Sequence, residues 1–199
     1  MPAPPDPALR RRHRLLAAAG LGAFLLHAAL KAGTGTLPEL LWGCNVTALL
    51  VVVGFAFEWP LAVGTAFLWR AALGEPGFLA GLWSGSPYLW TTAFVHVVPT
   101  LLAIPYLRRS GLPRGSAAAA MGLTLALVAA GRALAPPELN VNFAQARVPQ
   151  LAAVFPGLWS YRMAVAALVV LALLLADGLA ALAFGRPLRG PTRRSAASP

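Results

Sequence analysis

The run MAVAALVVLALLLA, residues 163–176, has no charge and no side-chain hydroxyl or amide, and past Asp177 the apolar pattern resumes to Gly185. An α-helix rises 1.5 Å per residue, so about 20 such residues bridge the roughly 30 Å hydrocarbon layer of a bilayer. The same reading extends outward along the chain, because residues 15–30, 40–57, 59–69, 76–107 and 115–131 also lack fixed charge. Six spans are expected, near 15–32, 38–57, 59–74, 87–107, 115–134 and 162–184, the third being short and broken by Arg70. The expected fold class is all-α, a polytopic membrane helical bundle of about six transmembrane helices. Residues 1–14 read as a basic cytoplasmic tail, 15–185 as one transmembrane domain and 186–199 as a second basic tail, with 1–9 and 186–199 lacking fixed structure.

Composition points the same way. Of 199 residues, 58% are apolar and 11% charged, whereas soluble domains carry about 25% charged residues. Too few solvating groups remain for a water-soluble enzyme, a disordered chain or a coiled coil. A single cysteine, Cys44, excludes a disulfide-stapled module. No zinc-ligand spacing, phosphate loop or soluble catalytic triad is present, so neither a metal nor a cofactor is expected.

The net charge of +10 would suggest nucleic acid in a soluble protein, but here it sorts by location. Arg10, Arg11, Arg12, Arg14, Arg108, Arg109, Arg114, Arg186, Arg189, Arg193 and Arg194 share one side of the six-span scheme. Lys31, Arg70, Arg132, Arg147 and Arg162 lie in the spans or on the other side, with Glu39, Glu75 and Glu138. The crowded side is cytoplasmic by the positive-inside rule, which gives an N-in, C-in topology. Membrane lipids and their acyl chains are then the expected partners, and nucleic acid is not. A cleaved signal peptide over residues 10–32 is the competing reading, but no small-x-small cleavage site follows. Trp42, Trp83, Tyr88, Trp90, Trp159 and Tyr161 fall at the expected outer boundary, Trp59 and Tyr106 at the inner one. The long Gly- and Pro-rich connections, 75–86 and 135–161, are also expected outside.

Polar side chains within spans are costly and mark a functional interior by default. The spans hold Cys44, Asn45, Thr47, Thr65, Arg70, Thr91, Thr92, His96, Thr100, Thr124, Arg132 and Asp177. Counted from the outer ends of their helices, Cys44 and His96 lie roughly 9 Å and 14 Å deep at 1.5 Å per residue, so one plane can hold both. Thr92, His96 and Thr100 share a helix face, and Pro99 frees a backbone carbonyl beside it. Cys44 and Thr47 share a face of the second span, with Asn45 a quarter turn away. A thiol needs a base to become a nucleophile in an apolar setting. His96 is placed to be that base, with Asn45 or Thr92 orienting the ring or donating to an oxyanion, and Thr47 a second nucleophile. Thr47, Arg70, Asn140 and Asn142 are the candidate substrate contacts. Each residue also has a plain reading: a packed thiol, threonines bonding helix backbones, a satisfied core histidine, arginines reaching for the interface. His27 reads as a group at a helix end, and Asp177 as a partner for an arginine or a carbonyl.

The stretch LPELLWGCNV, residues 37–46, resembles the start of the second span in the YwaF-like bacterial integral membrane family. Val63-Gly64-Thr65-Ala66-Phe67 through Gly74-Glu75-Pro76 is similar to its third span and acidic-Pro turn, and Phe94-Val95-His96 to its intramembrane histidine. Asn140-Val141-Asn142-Phe143 resembles its Asn-x-Asn-Tyr loop, with Phe143 in place of Tyr. Phe155-Pro156-Gly157-Leu158-Trp159-Ser160-Tyr161 resembles its Gly-Pro-Trp-x-x-Tyr segment in altered order. The likeness covers residues 35–185. It implies kinship with transmembrane acyltransferases acting on ether phospholipids, with Cys44 as acyl acceptor and His96 as base, in a bacterial plasma membrane. The leading expectation is therefore a lipid acyltransferase or acyl-ester hydrolase working in an outer-leaflet cavity. The alternatives are a non-catalytic lipid or small-molecule binding, transport or accessory protein, and a purely structural polar cluster.

Overall fold

A computed structural model describes residues 7–85, 90–147, 154–155 and 157–187. Every regular element among them is helical: α1 (Pro7–Gly33), α2 (Gly43–Ala56), α3 (Pro60–Trp69), α4 (Glu75–Trp83), α5 (Trp90–Ser110), α6 (Ser116–Leu134) and α7 (Leu158–Phe184). A π turn, Arg70–Gly74, joins α3 to α4, and short 3₁₀ turns cover Leu37–Leu41, Pro137–Leu139 and Val141–Phe143. Helices α1, α5, α6 and α7 are long and apolar enough to cross a membrane.

The elements differ from expectation where local chemistry overrides the apolar count. Arginine and leucine are good helix formers, so α1 starts at Pro7 and carries Arg10, Arg11, Arg12 and Arg14 on its first turns rather than in a tail. The second expected span is split, a 3₁₀ turn preceding the 14 residues of α2. The third does not end at Arg70, because right-handed helical backbone continues through Trp69, Arg70, Gly74 and Glu75 into α4. Most of the expected 75–86 loop is therefore helix.

Helix α3 is the axle of the bundle. Its small and medium side chains, Ala62, Val63, Thr65, Ala66 and Leu68, are all buried, and it packs against α2, α5, α6 and α7. Helix α7 is the opposite case: Leu168, Leu171, Leu174, Leu175, Leu179 and Leu182 are exposed, as an apolar solvent allows. A residue that follows α3 inherits the deepest position in the molecule.

One end of the bundle gathers the basic residues. Arg10 Nε lies 3.5 Å from Glu58 in the α2–α3 turn, and the His13 ring packs 5.4 Å from Tyr106 near the end of α5. The Leu112 amide donates to the Gly185 carbonyl at 2.9 Å, which brings the α5–α6 turn to the end of α7. Asp177 pairs with Arg186, one of its two expected partner types. At the boundary positions, Trp83, Trp90, Trp159 and Trp59 are exposed, but Tyr161 and Tyr106 are buried. Tyr88 and the arginines beyond Pro187 lie outside the described residues.

Candidate functional site: a buried arginine–glutamate–histidine cluster

Residues five apart diverge around an α-helix of 3.6 residues per turn, but a π turn takes in an extra residue and returns them to one face. Pro76 accounts for the π turn: it lacks the N–H an α-helix would use, and its ring would crowd the carbonyl of Ala72. The Glu75 amide accordingly donates to the Arg70 carbonyl, and the two side chains meet, with Arg70 Nη2 2.8 Å from Glu75 Oε1.

Arg70 is wholly buried and its guanidinium is fully used. Nε donates to Thr100 Oγ1 at 2.8 Å, and Nη1 to the Cys44 carbonyl at 3.0 Å and Thr47 Oγ1 at 3.4 Å. Nη2 donates to the Val95 carbonyl at 2.7 Å and also to the His96 carbonyl. Val95 is four residues before Pro99, so its carbonyl is the one that proline leaves without a helical donor. The freed acceptor expected on the fifth helix is thus occupied by an arginine.

Glu75 is the hub. Oε1 receives Arg70 and the Thr100 hydroxyl at 2.7 Å, and Oε2 lies 3.0 Å from His96 Nδ1. The His96 ring stacks on Phe78 at 4.2 Å with planes 13° apart. Nδ1 thus faces the carboxylate, and Nε2 is the other ring nitrogen. Nε2 has no protein hydrogen bond among the described residues, and the side chain keeps 6% of its surface. Glu75 is 23% exposed. Glu75 and Thr100 are partly exposed, and His96 is buried beside them.

The expected Cys44–His96 pair is not formed. The two residues do share a level, since both backbone carbonyls accept from the Arg70 guanidinium. On α2 the buried residues include Gly43, Asn45, Thr47, Val51 and Gly54, while Cys44 is only partly buried. A carboxylate is also a stronger partner for an imidazole N–H than a thiol. A Cβ at Gly43 would lie 2.1 Å from the Trp69 ring, so glycine is what lets the indole cover the start of α2.

The assisting residues are likewise placed elsewhere. Asn45 Nδ2 donates to the Glu39 carbonyl at 2.9 Å and does not orient the imidazole. Thr92 makes none of the cluster's hydrogen bonds; its neighbour Thr91 is buried and lies 2.8 Å from His27 Nδ1. His27 is therefore a buried, bonded residue and not a helix-end group. Thr47 back-bonds to the Gly43 carbonyl at 2.7 Å, which engages its proton. Asn140 Oδ1 accepts the amides of Gln145 and Ala146 at 2.9 and 2.8 Å. Asn142 Oδ1 accepts the Gly43 amide at 2.8 Å, and its Nδ2 donates to the Leu41 and Leu127 carbonyls at 2.7 and 3.2 Å. Both amides fasten the backbone, and Asn142 caps α2 from across the chain. Arg70 has no donor left for a lipid phosphate.

Sequence reasoning missed Glu75 and Phe78. The usable signal was an arginine and a glutamate five apart in apolar surroundings, followed by proline: two such charges must pair, and only a π turn lets them. Hollows of about 400 and 270 Å³ lie at the basic end, the first lined by Pro7, Arg10, Arg11, Arg14 and Leu15. Neither touches Cys44 or His96. Among the described residues no three His, Cys, Asp or Glu side chains come together as a metal site. No protein-family model, no curated protein and no solved structure matches the chain.

Proposed function

We propose that the chain is a multi-pass protein of a bacterial plasma membrane, with six crossings and both ends on the basic, cytoplasmic side. On this reading α2 and the α3–α4 run are the two further crossings. Its Arg70–Glu75–His96 cluster serves non-covalent binding of a lipid or another small apolar molecule. The observation that carries this reading is the 3.0 Å contact of His96 Nδ1 with Glu75, which commits that nitrogen to the carboxylate and not to the thiol and leaves Nε2 for a ligand. A bound molecule with a hydroxyl or amide donor would meet Nε2, and the exposed Leu79, Leu82 and Trp83 of α4 would shelter its apolar part.

Acyl transfer through Cys44, as in the YwaF-like family, is the second reading. It is favoured by the shared level of Cys44 and His96 on either side of one guanidinium. The thiolate would attack an ester carbonyl and break its C–O bond to leave a thioester, with His96 taking the thiol proton and passing it to the departing alkoxide, released as a lysophospholipid. Intact-mass spectrometry of the purified chain after incubation with phospholipid vesicles separates the two. Binding without chemistry predicts no acyl mass on the wild-type chain. An adduct that disappears in Cys44→Ala would overturn it.

A further inference from the structure

At the opposite end from the cluster, three arginines on α1 face one hollow. Arg10 and Arg14 are four residues apart and Arg11 and Arg14 three, so all stand on one side of the helix. With Pro7 and Leu15 they line an open hollow of about 400 Å³. Among the described residues Glu58 lines the adjoining hollow with Arg10 and Arg14. That carboxylate is already shared by Arg10 at 3.5 Å and His13 at 3.9 Å. Arg11 and Arg14 are exposed and have no carboxylate partner among the described residues.

What lies beneath the hollow identifies the occupant. Continuing at helical spacing from Arg11 and Arg14, the same face shows Leu15, Ala18, Gly22 and Leu25, all exposed. A Cβ at Gly22 would meet nothing within 4 Å, so the track is open along its middle. Two guanidiniums with no carboxylate partner among the described residues therefore stand at the head of an apolar strip that runs about 15 Å at 1.5 Å per residue, the depth of one leaflet of a roughly 30 Å hydrocarbon layer. Free phosphate would use the guanidiniums alone; a phospholipid uses both.

We propose that this face of α1 is a binding site for one anionic phospholipid, its phosphate on Arg11 and Arg14 and an acyl chain along Leu15 to Leu25. The proposal is independent of the chemistry at Glu75 and His96. The experiment is native mass spectrometry of the detergent-purified full chain titrated with phosphatidylglycerol, phosphatidylcholine or inorganic phosphate. Each arginine near an anionic headgroup is expected to give roughly fivefold in affinity, so Arg11→Gln with Arg14→Gln should weaken phosphatidylglycerol about twentyfold. The control removes the same charge at the same end, Arg108→Gln with Arg114→Gln, and should leave binding unchanged. Equal retention of phosphatidylcholine, or equal losses from the two double variants, would reduce the site to a diffuse basic surface and overturn it. Displacement of the lipid by millimolar phosphate would overturn the lipid assignment in favour of a soluble anion.

Discussion

Two arginine–glutamate pairs stand about a bundle's length apart and differ in everything but their chemistry. Arg70 and Glu75 meet at 2.8 Å with side-chain exposures of 0% and 23%, and Arg10 and Glu58 at 3.5 Å with 47% and 31%. The first pair is fixed by a π turn, a freed proline carbonyl, a threonine and a histidine. The second joins two elements across a turn and, among the described residues, leaves its neighbours Arg11 and Arg14 without a carboxylate. Burial decides what each can do. A saturated arginine builds architecture, and only unsatisfied ones remain for a ligand.

The largest expected effect lies at the buried pair. Removing one partner of a buried ion pair strands the other and costs about 3–5 kcal/mol. Arg70→Met should lose that much in thermal or denaturant unfolding of the micelle-bound protein, because Glu75 and the Val95 carbonyl lose their donor together. Adding Glu75→Gln to Arg70→Met should recover part of the loss, since the second change removes the stranded charge. A single variant as stable as the wild type would mean that water or lipid reaches the cluster and that the contrast between the pairs is false.

Much of this contrast was legible in the sequence. The uncharged runs gave α5, α6 and α7 within a few residues, and the far end of α1, because an apolar helix of that length has few alternatives; the start of α1 lies eight residues earlier, in the basic stretch. Arg70 stood out as a charge in an apolar run, and Pro99 announced its freed carbonyl. Depth was legible too, because it is only a count of residues, and Cys44 and His96 do share a level. Azimuth was not. The Cys44 thiol makes no hydrogen bond to His96, and the facing of α2 is set by how it packs on α3 and α5, to which its own residues add little periodicity. Glu75 was hidden because pairing rules for α-helices look three and four residues ahead, and its partner is five behind.

An intermediate effect tests how far the cluster depends on the loop across the bundle. Asn142 joins the Gly43 amide to the Leu41 and Leu127 carbonyls, one residue before the Cys44 carbonyl that Arg70 uses. Stranding buried backbone groups costs about 1–3 kcal/mol, so Asn142→Ala should destabilise by that amount. Its φ of 55° lies in the left-handed region that asparagine and glycine tolerate. Asn142→Gly relaxes the backbone without restoring the amide. It should therefore remain well below the wild type if the hydrogen bonds matter, and regain most of the loss if the backbone conformation does.

The smallest effect belongs to the exposed pair, where two modest terms oppose each other. An exposed ion pair contributes about 0–1 kcal/mol, so Arg10→Gln should change stability by no more than that. Glu58 itself sits at φ 51° in the three-residue turn between α2 and α3, a conformation that costs a non-glycine residue about 1–2 kcal/mol. Glu58→Gly gives up the contacts to Arg10 and His13 but removes that strain, and its unfolding midpoint should match or slightly exceed the wild type. Glu58→Ala keeps the strain and gives up the contacts, so it should fall below both. If Glu58→Gly instead lost as much as Arg70→Met, the glutamate would be holding α1 against the bundle as firmly as Glu75 holds Arg70, and the two pairs would be structural equals.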